Sequence, residues 1–150
     1  MKINDVTNDV RNFMQNAGQK TPAVLTNPSK DERILRAKLI LEEAMELIER
    51  GLGVEVSVNE YILNSNKLSY KTVSEPDIVE AMDGAADLMW VGVAGVAVVF
   101  GCNLEPVLQE VSRSNNSKFI DGYRREDGKW IKGPSYSPAD IKSVLEDIYE

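Results

Sequence analysis

The chain contains no histidine, and its 150 residues include one cysteine. The first absence removes the commonest general base, rules out Ser–His and Cys–His nucleophilic schemes, and excludes the usual zinc ligand sets. The second excludes an internal disulfide, so a reducing cytoplasm is the simplest setting. Cys102 follows an apolar run in Phe100-Gly101-Cys102-Asn103, where packing is the expected role rather than reactivity. Positive charge is scarce: 17 lysines and arginines face 24 acids, for a formal charge of −7. A nucleic-acid duplex wants a basic face and is not the expected partner. A small polyphosphate stays open, because a bound metal can supply the missing positive charge. The N-terminus has no charged–apolar–small leader pattern. The apolar run from Leu88 to Phe100 is thirteen residues, too short to cross a bilayer. It predicts a helix buried on nearly all sides, in a soluble protein without a membrane partner. Any chemistry must then run on carboxylates, lysines, arginines, hydroxyls and oxygen-bound metal.

What is present suits one domain over residues 1–150, with 43% hydrophobic content and no Pro/Gly/Ser-rich linker. Val6, Val10, Phe13 and Met14 predict a first helix over 3–17, and Pro22, Asn27 and Pro28 mark a loop. Ser29 can cap a second helix, with Asp31 and Glu32 in its first turn and Gly51 or Gly53 at its end. Val54, Val56 and Val58, then Leu68, Tyr70 and Thr72, alternate as in a β-hairpin turning at Asn64-Ser65-Asn66; a short helical turn over Tyr61 to Leu63 is the other reading. Pro76 and Asp77 open a long helix to about Phe100, and Leu104 to about Asn116 is another. Residues 121–137 are basic and glycine-rich, a second small hairpin or an ordered loop. Pro138 is expected to start a last helix through Tyr149. The class is mainly α: a bundle of antiparallel helices with a small β-hairpin insertion.

Two acidic clusters stand out. In Glu42-Glu43-Ala44-Met45-Glu46 a helix crowds three carboxylates onto about one turn, which destabilises an isolated helix by about 0.2–0.5 kcal/mol per like-charged pair. A solvated acidic face is the plain explanation. Asp83 and Asp87, four apart with Glu80 on the same face, lie on a helix otherwise made of Ile, Val, Ala, Met, Leu and Trp. Carboxylates on such a helix need a partner, since an unpaired buried charge costs several kcal/mol. Either distant arginines such as Arg33 or Arg36 supply it, or both helices offer their acids to a shared cleft. The second arrangement is an all-oxygen site, which selects Mg²⁺ or Mn²⁺ over zinc. Gly92, Ala94, Gly95 and Ala97 form a small-residue surface suited to packing between subunits.

These residues resemble a known family. Leu39 to Leu47, Asp83 to Val91, Ser114 to Lys118, Asp127-Gly128-Lys129 and Lys132-Gly133 are similar, in that order, to the all-α nucleoside triphosphate pyrophosphohydrolases, nearest the MazG-like and phosphoribosyl-ATP pyrophosphohydrolase-like small proteins. The resemblance spans about Phe13 to Ile141. It implies a helical bundle completed by dimerisation, or by assembly into a tetramer. It also implies Mg²⁺ held by acids on two antiparallel helices, and hydrolysis of a nucleoside triphosphate to monophosphate and pyrophosphate. Transferred to this chain, the metal ligands are Glu42, Glu43, Glu46, Asp83 and Asp87, and Glu43 orients or deprotonates the attacking water. One departure matters: the family's second helix carries Glu-x-x-Asp, and here Gly84 stands three before Asp87. Asp83 must then substitute from one residue earlier, unless Glu80-x-x-Asp83 is the matching pair. Asn115, Lys118, Lys129 and Lys132 are the implied substrate-binding residues, acting on phosphate from the same or a neighbouring subunit. A polar helix end and a solvated loop explain the same residues without a ligand. Trp130 and Tyr136 are expected to pack rather than stack on a base, and the loop Gly18-Gln19-Lys20-Thr21 is a candidate for base reading. The competing functions are a dNTP or dUTP house-cleaning enzyme, a phosphoribosyl-ATP hydrolase, and a non-catalytic helical protein whose acids bind metal or a partner.

Overall fold

The computed structural model describes residues 2–58 and 68–149, and in them the chain is mainly helical with two small hairpins. The predicted Asn64-Ser65-Asn66 turn and the alternative at Tyr61–Leu63 lie outside the described residues. Helix α1 (Ile3–Asn16) ends on Gly18, whose φ of +72° suits glycine. The Gly18 N–H bonds the Gln15 carbonyl and the Gln19 N–H reaches back to Met14, closing the helix end. Helix α2 (Lys30–Glu46) starts at Ser29, whose hydroxyl accepts the Glu32 N–H while the Glu32 carboxylate accepts the Ser29 N–H at 2.7 Å. A wide π turn (Leu47–Gly51) prolongs it. Strands β1 (Val54–Val58) and β2 (Leu68–Thr72) pair antiparallel, Val54 opposite Thr72.

The long helix follows in three parts: α3 (Ile78–Leu88), a π turn (Met89–Ala94) and α4 (Gly95–Phe100). Its N-cap is Asp77, whose carboxylate accepts the Val79 and Glu80 N–H groups, so Pro76 lies just outside the helix. Helix α5 (Leu104–Ser117) is capped by Asn103, and β3 (Tyr123–Arg124) pairs with β4 (Trp130–Ile131). Helix α6 (Ile141–Tyr149) begins later than Pro138 suggests. Asp140 takes the capping role, accepting the Ser143 N–H and hydroxyl.

The antiparallel seam between α2 and the long helix positions the acids. A Cβ placed on Gly51 would lie 2.5 Å from Ala81 Cα, and one on Gly84 would lie 3.0 Å from Leu47 Cα. A side chain at Gly51 would force the two helices apart, and one at Gly84 would need Leu47 to give by a few tenths of an ångström. Farther along, Ile40 meets Gly92 and Arg36 meets Gly95. On the other side α1 packs on α4, burying Val10 and Met14 against Ala94, Val98 and Val99, with Trp90 edge-on to Phe13. Val10 and Val98 are essentially sealed from water, each worth about 1.5–3 kcal/mol of burial.

Burial of the Leu88–Phe100 run on nearly all sides holds only from Ala94 onward. Ile78, Met82, Met89 and Val93 recur at helical spacing on an exposed stripe, Ile78 at 76% and Met82 at 63% exposure. The small-residue patch is corrected too. Ala94, Gly95 and Ala97 are buried within the chain itself, because α1 and α2 already occupy that side. Nor is length a reason to keep this helix from a membrane, since from Ile78 to Phe100 it runs 23 residues. Glu80, Asp83 and Asp87 along it, and its packing on α1 and α2, fit a bundle instead.

Candidate carboxylate site

Between the Ile40–Gly92 and Leu47–Gly84 crossings, α2 and α3 bring their acidic turns together. Glu43 and Glu46 are half-buried there, whereas Glu42, Asp83 and Asp87 are exposed. Burial first, then the charges of Asp87, Glu46, Glu42 and Asp83, hold the Glu43 carboxyl above the usual carboxylate range. All four neighbours belong to the set named from sequence. Glu80 stands one turn upstream of Asp83 on the same helix.

The desolvation argument made for Asp83 and Asp87 does not hold in the isolated chain, because the face of α3 that carries them is open to solvent. The arginine alternative is not realised. Arg36 donates to Gln19 at 3.0 Å, and among the described residues no ion pair reaches Glu42, Glu43, Asp83 or Asp87. Glu46 bonds the exposed Arg50 at 3.2 Å. Among the described residues no three acids are drawn tightly enough to grip an ion as they stand. Their side chains share one side of the α2–α3 seam without converging on a point.

The basic residues gather elsewhere. Lys118 Nζ donates to Asn115 Oδ1 at 2.7 Å, and the Lys118 carbonyl accepts Trp130 Nε1 at 2.7 Å. Lys118 and Lys132 both lie over the Tyr136 ring, Nζ to centroid 5.9 and 4.2 Å, with the Tyr136 hydroxyl 3.5 Å from Ser114 Oγ. Their charges and the Ser114 contact lower the Tyr136 pKa, the hydrogen bond most. Lys129 stands apart on the β3–β4 turn, its N–H bonded to Asp127 and its carbonyl to the Arg125 N–H. No lysine is among the charges acting on Glu43. Tyr136 as the ring between two lysines escaped sequence reasoning, which favoured packing; Trp130 does pack, on Phe119 at 4.9 Å. Cys102 is half-buried, and burial pushes its thiol up, away from reactivity.

No curated protein matches the chain at a significant level. The family model for phosphoribosyl-ATP pyrophosphohydrolase matches residues 7–115. That span takes in both acid-bearing helices and stops at Asn115, short of Lys118, Lys129 and Lys132. With most of the chain matched, and with it the two helices whose acids crowd Glu43, the protein belongs to the phosphoribosyl-ATP pyrophosphohydrolase family and is a hydrolase of phosphoric anhydride bonds.

Proposed function

We propose that this enzyme is a Mg²⁺-dependent nucleoside triphosphate pyrophosphohydrolase, cutting between the α- and β-phosphates to release a monophosphate and pyrophosphate. The observation that carries the reading is the close α2–α3 seam, which sets Asp83 and Asp87 across from half-buried Glu43 and its neighbours Glu42 and Glu46. Hydrolases of this family use a divalent metal ion. The residues fit one: the donors are all oxygen, among the described residues only Glu46 has a competing cation, and the exposed side chains are free to turn inward. Glu42, Glu43, Glu46, Asp83 and Asp87 would hold Mg²⁺, or Mn²⁺ in its place. When bound, the metal neutralises the polyphosphate and acidifies the attacking water. Glu43 orients that water and accepts its proton, a role open to a carboxylate once the metal acidifies the water.

Lys118 and Lys132 supply the positive wall for the phosphates, with Asn115 as a neutral hydrogen-bonding member and Lys129 as an outer one. Neither α5 nor β3–β4 packs substantially on α2 or α3, and this, with the exposed Ile78–Val93 stripe, favours a homodimer or homotetramer in which one copy's lysines serve its partner's acids. The substrate is a small nucleotide, a dNTP such as dUTP being the leading candidate, hydrolysed in the cytoplasm. The family match itself favours a second substrate, phosphoribosyl-ATP.

The test is pyrophosphate release from a panel of NTPs, dNTPs and phosphoribosyl-ATP with and without Mg²⁺. Turnover of one dNTP that stops with chelator is expected; silence on every member sinks the reading. Mixing inactive Glu43→Gln with inactive Lys118→Ala subunits should restore activity if lysines act across copies. No recovery on mixing would place them in one chain.

A further inference from the structure

Lys118 and Lys132 are cations in a chain of net charge −7, yet among the described residues neither forms an ion pair. They meet one ring instead: their Nζ atoms stand 5.9 and 4.2 Å from the centroid of half-buried Tyr136. Two ammonium groups brought to one place repel each other, and each long side chain gives up rotamer freedom to stay there. The negative face of an aromatic ring offsets part of both costs, where an aliphatic side chain would offset neither. Lys118 spends one donor on Asn115 Oδ1 at 2.7 Å and keeps the others for a ligand.

The segment that carries the ring is pinned at several points. Ser117, buried at the end of α5, accepts the Ser137 N–H on its hydroxyl at 2.9 Å and donates that hydroxyl to the Ser114 carbonyl at 2.7 Å. The Tyr136 N–H bonds the Gly133 carbonyl at 3.1 Å. Asp121 accepts the Ser135 N–H at 3.1 Å and the Ser135 hydroxyl at 2.7 Å, and a Cβ on Gly133 would collide with Asp121. The Lys118 backbone is fixed as well, through its carbonyl to Trp130 Nε1. The ring is thus a rigid support, while the two ammonium groups ride on flexible stems that take their positions from it.

We propose, resting on the reading of both lysines as the phosphate wall, that Tyr136 is a positioning residue. Its ring gathers Lys118 and Lys132 into a two-cation clamp for adjacent phosphate groups, so that a diphosphate is held in preference to a single phosphate. The ring face does this, and the hydroxyl is secondary, because its contact with Ser114 Oγ at 3.5 Å is long for a hydrogen bond between two hydroxyls.

The experiment is calorimetric titration of the full-length protein, without Mg²⁺, with pyrophosphate and with inorganic phosphate. KM and kcat are then measured with Mg²⁺ on the best nucleotide of the panel. Pyrophosphate should bind the parent at least about tenfold more tightly than phosphate. Tyr136→Leu should weaken pyrophosphate about fivefold, since each cation–ring contact at an exposed site is worth a factor of about two to five. Tyr136→Phe, which keeps the ring, should stay within about twofold of the parent. In a Lys132→Ala background the leucine substitution should cost less than it does alone, the sign of a shared interaction. In turnover Tyr136→Leu should raise KM by the same factor and leave kcat in place. Equal affinity of the parent for the two anions overturns the clamp. Parental pyrophosphate binding by Tyr136→Leu, an equal loss in Tyr136→Phe, or additive losses with Lys132→Ala overturn the role of the ring. Pyrophosphate binding that depends on the ring, with no turnover of any nucleotide, would sink the hydrolytic reading and leave the clamp standing. Turnover indifferent to Tyr136→Leu would do the reverse.

Discussion

The two ends of the chain treat charge in opposite ways. Around α5, β3–β4 and α6, several acids and arginines are answered. Arg113 forms two hydrogen bonds to Glu110, which also accepts the Asp140 N–H. Arg125 grips Asp127, and Asp121 accepts both the N–H and the hydroxyl of Ser135. Across the α2–α3 seam, among the described residues, no cation answers the acids apart from the surface arginine at Glu46. A fold that can neutralise its charges and does so at one end leaves a cluster bare at the other only at a cost. That contrast locates the chemistry better than the mere count of acids, and it is open to direct attack.

The largest effect is expected from Glu43→Gln, which should cut turnover by about a hundredfold or more. Because it also removes a repelled charge, the metal-free variant should melt slightly higher than the parent, by about 0.5 kcal/mol or less at neutral pH. A loss of activity accompanied by a lower melting temperature would make Glu43 a structural residue. Next comes the seam itself. Gly84→Ala places a methyl against Leu47 and should destabilise by about 1–3 kcal/mol, read as a fall of several degrees in Tm. An unchanged Tm would mean that the helices are not held so close.

A moderate effect is expected at Lys132. Lys132→Ala should raise KM by about tenfold with little change in kcat, because one charge-assisted contact to phosphate is worth about 1.5–3 kcal/mol. Lys129→Ala, out on the turn, should change it less; the reverse order would break the assignment of Lys132 to the wall. The smallest effect belongs to the answered end. Arg113 and the Asp140 N–H hold the Glu110 carboxyl down to about 2, from an ordinary 4.5. A depressed folded pKa adds stability above the unfolded value and loses it as pH falls through the folded one. Stability should therefore drop between about pH 4.5 and 2, with a shallower fall in Glu110→Gln measured by urea titration at each pH. Equal acid slopes in the two proteins would show that this network contributes nothing.

Much of this was legible before any coordinates. Apolar spacing marks α1 and α2, Ser29 marks its own helix start, and the alternating Val54–Val58 and Leu68–Thr72 segments pair as hairpin strands. The acid set is legible because it repeats at i, i+4 on two helices, and the structure brings both repeats to one carboxyl. Three features left no trace. Hydropathy shows that the Ile78–Val93 stripe should be covered, but not whether the cover belongs to the same chain. Arg36 looks like any surface arginine on a helix until Gly95 and the end of α1 close over it. Pro138 is a sound helix starter, yet Asp140, two residues on, is better placed to receive the Ser143 N–H.

The wide turns at Leu47–Gly51 and Met89–Ala94 have a bearing on how such a chain tolerates insertion and deletion. Each spreads its hydrogen bonds over five residues, as in Leu52 N–H to the Leu47 carbonyl, and so carries one residue beyond α-helical spacing. Each also lies directly downstream of an acidic turn. Losing the extra residue from Met89–Ala94 would let the turn close to α-helical spacing and leave Val98 and Val99 facing α1, whereas a residue added to the regular turns on either side would rotate everything beyond it by about 100°. The wide turns thus absorb a change of length that would otherwise turn the core away from the acids. Length changes that preserve a carboxylate site are therefore expected to be found inside these turns.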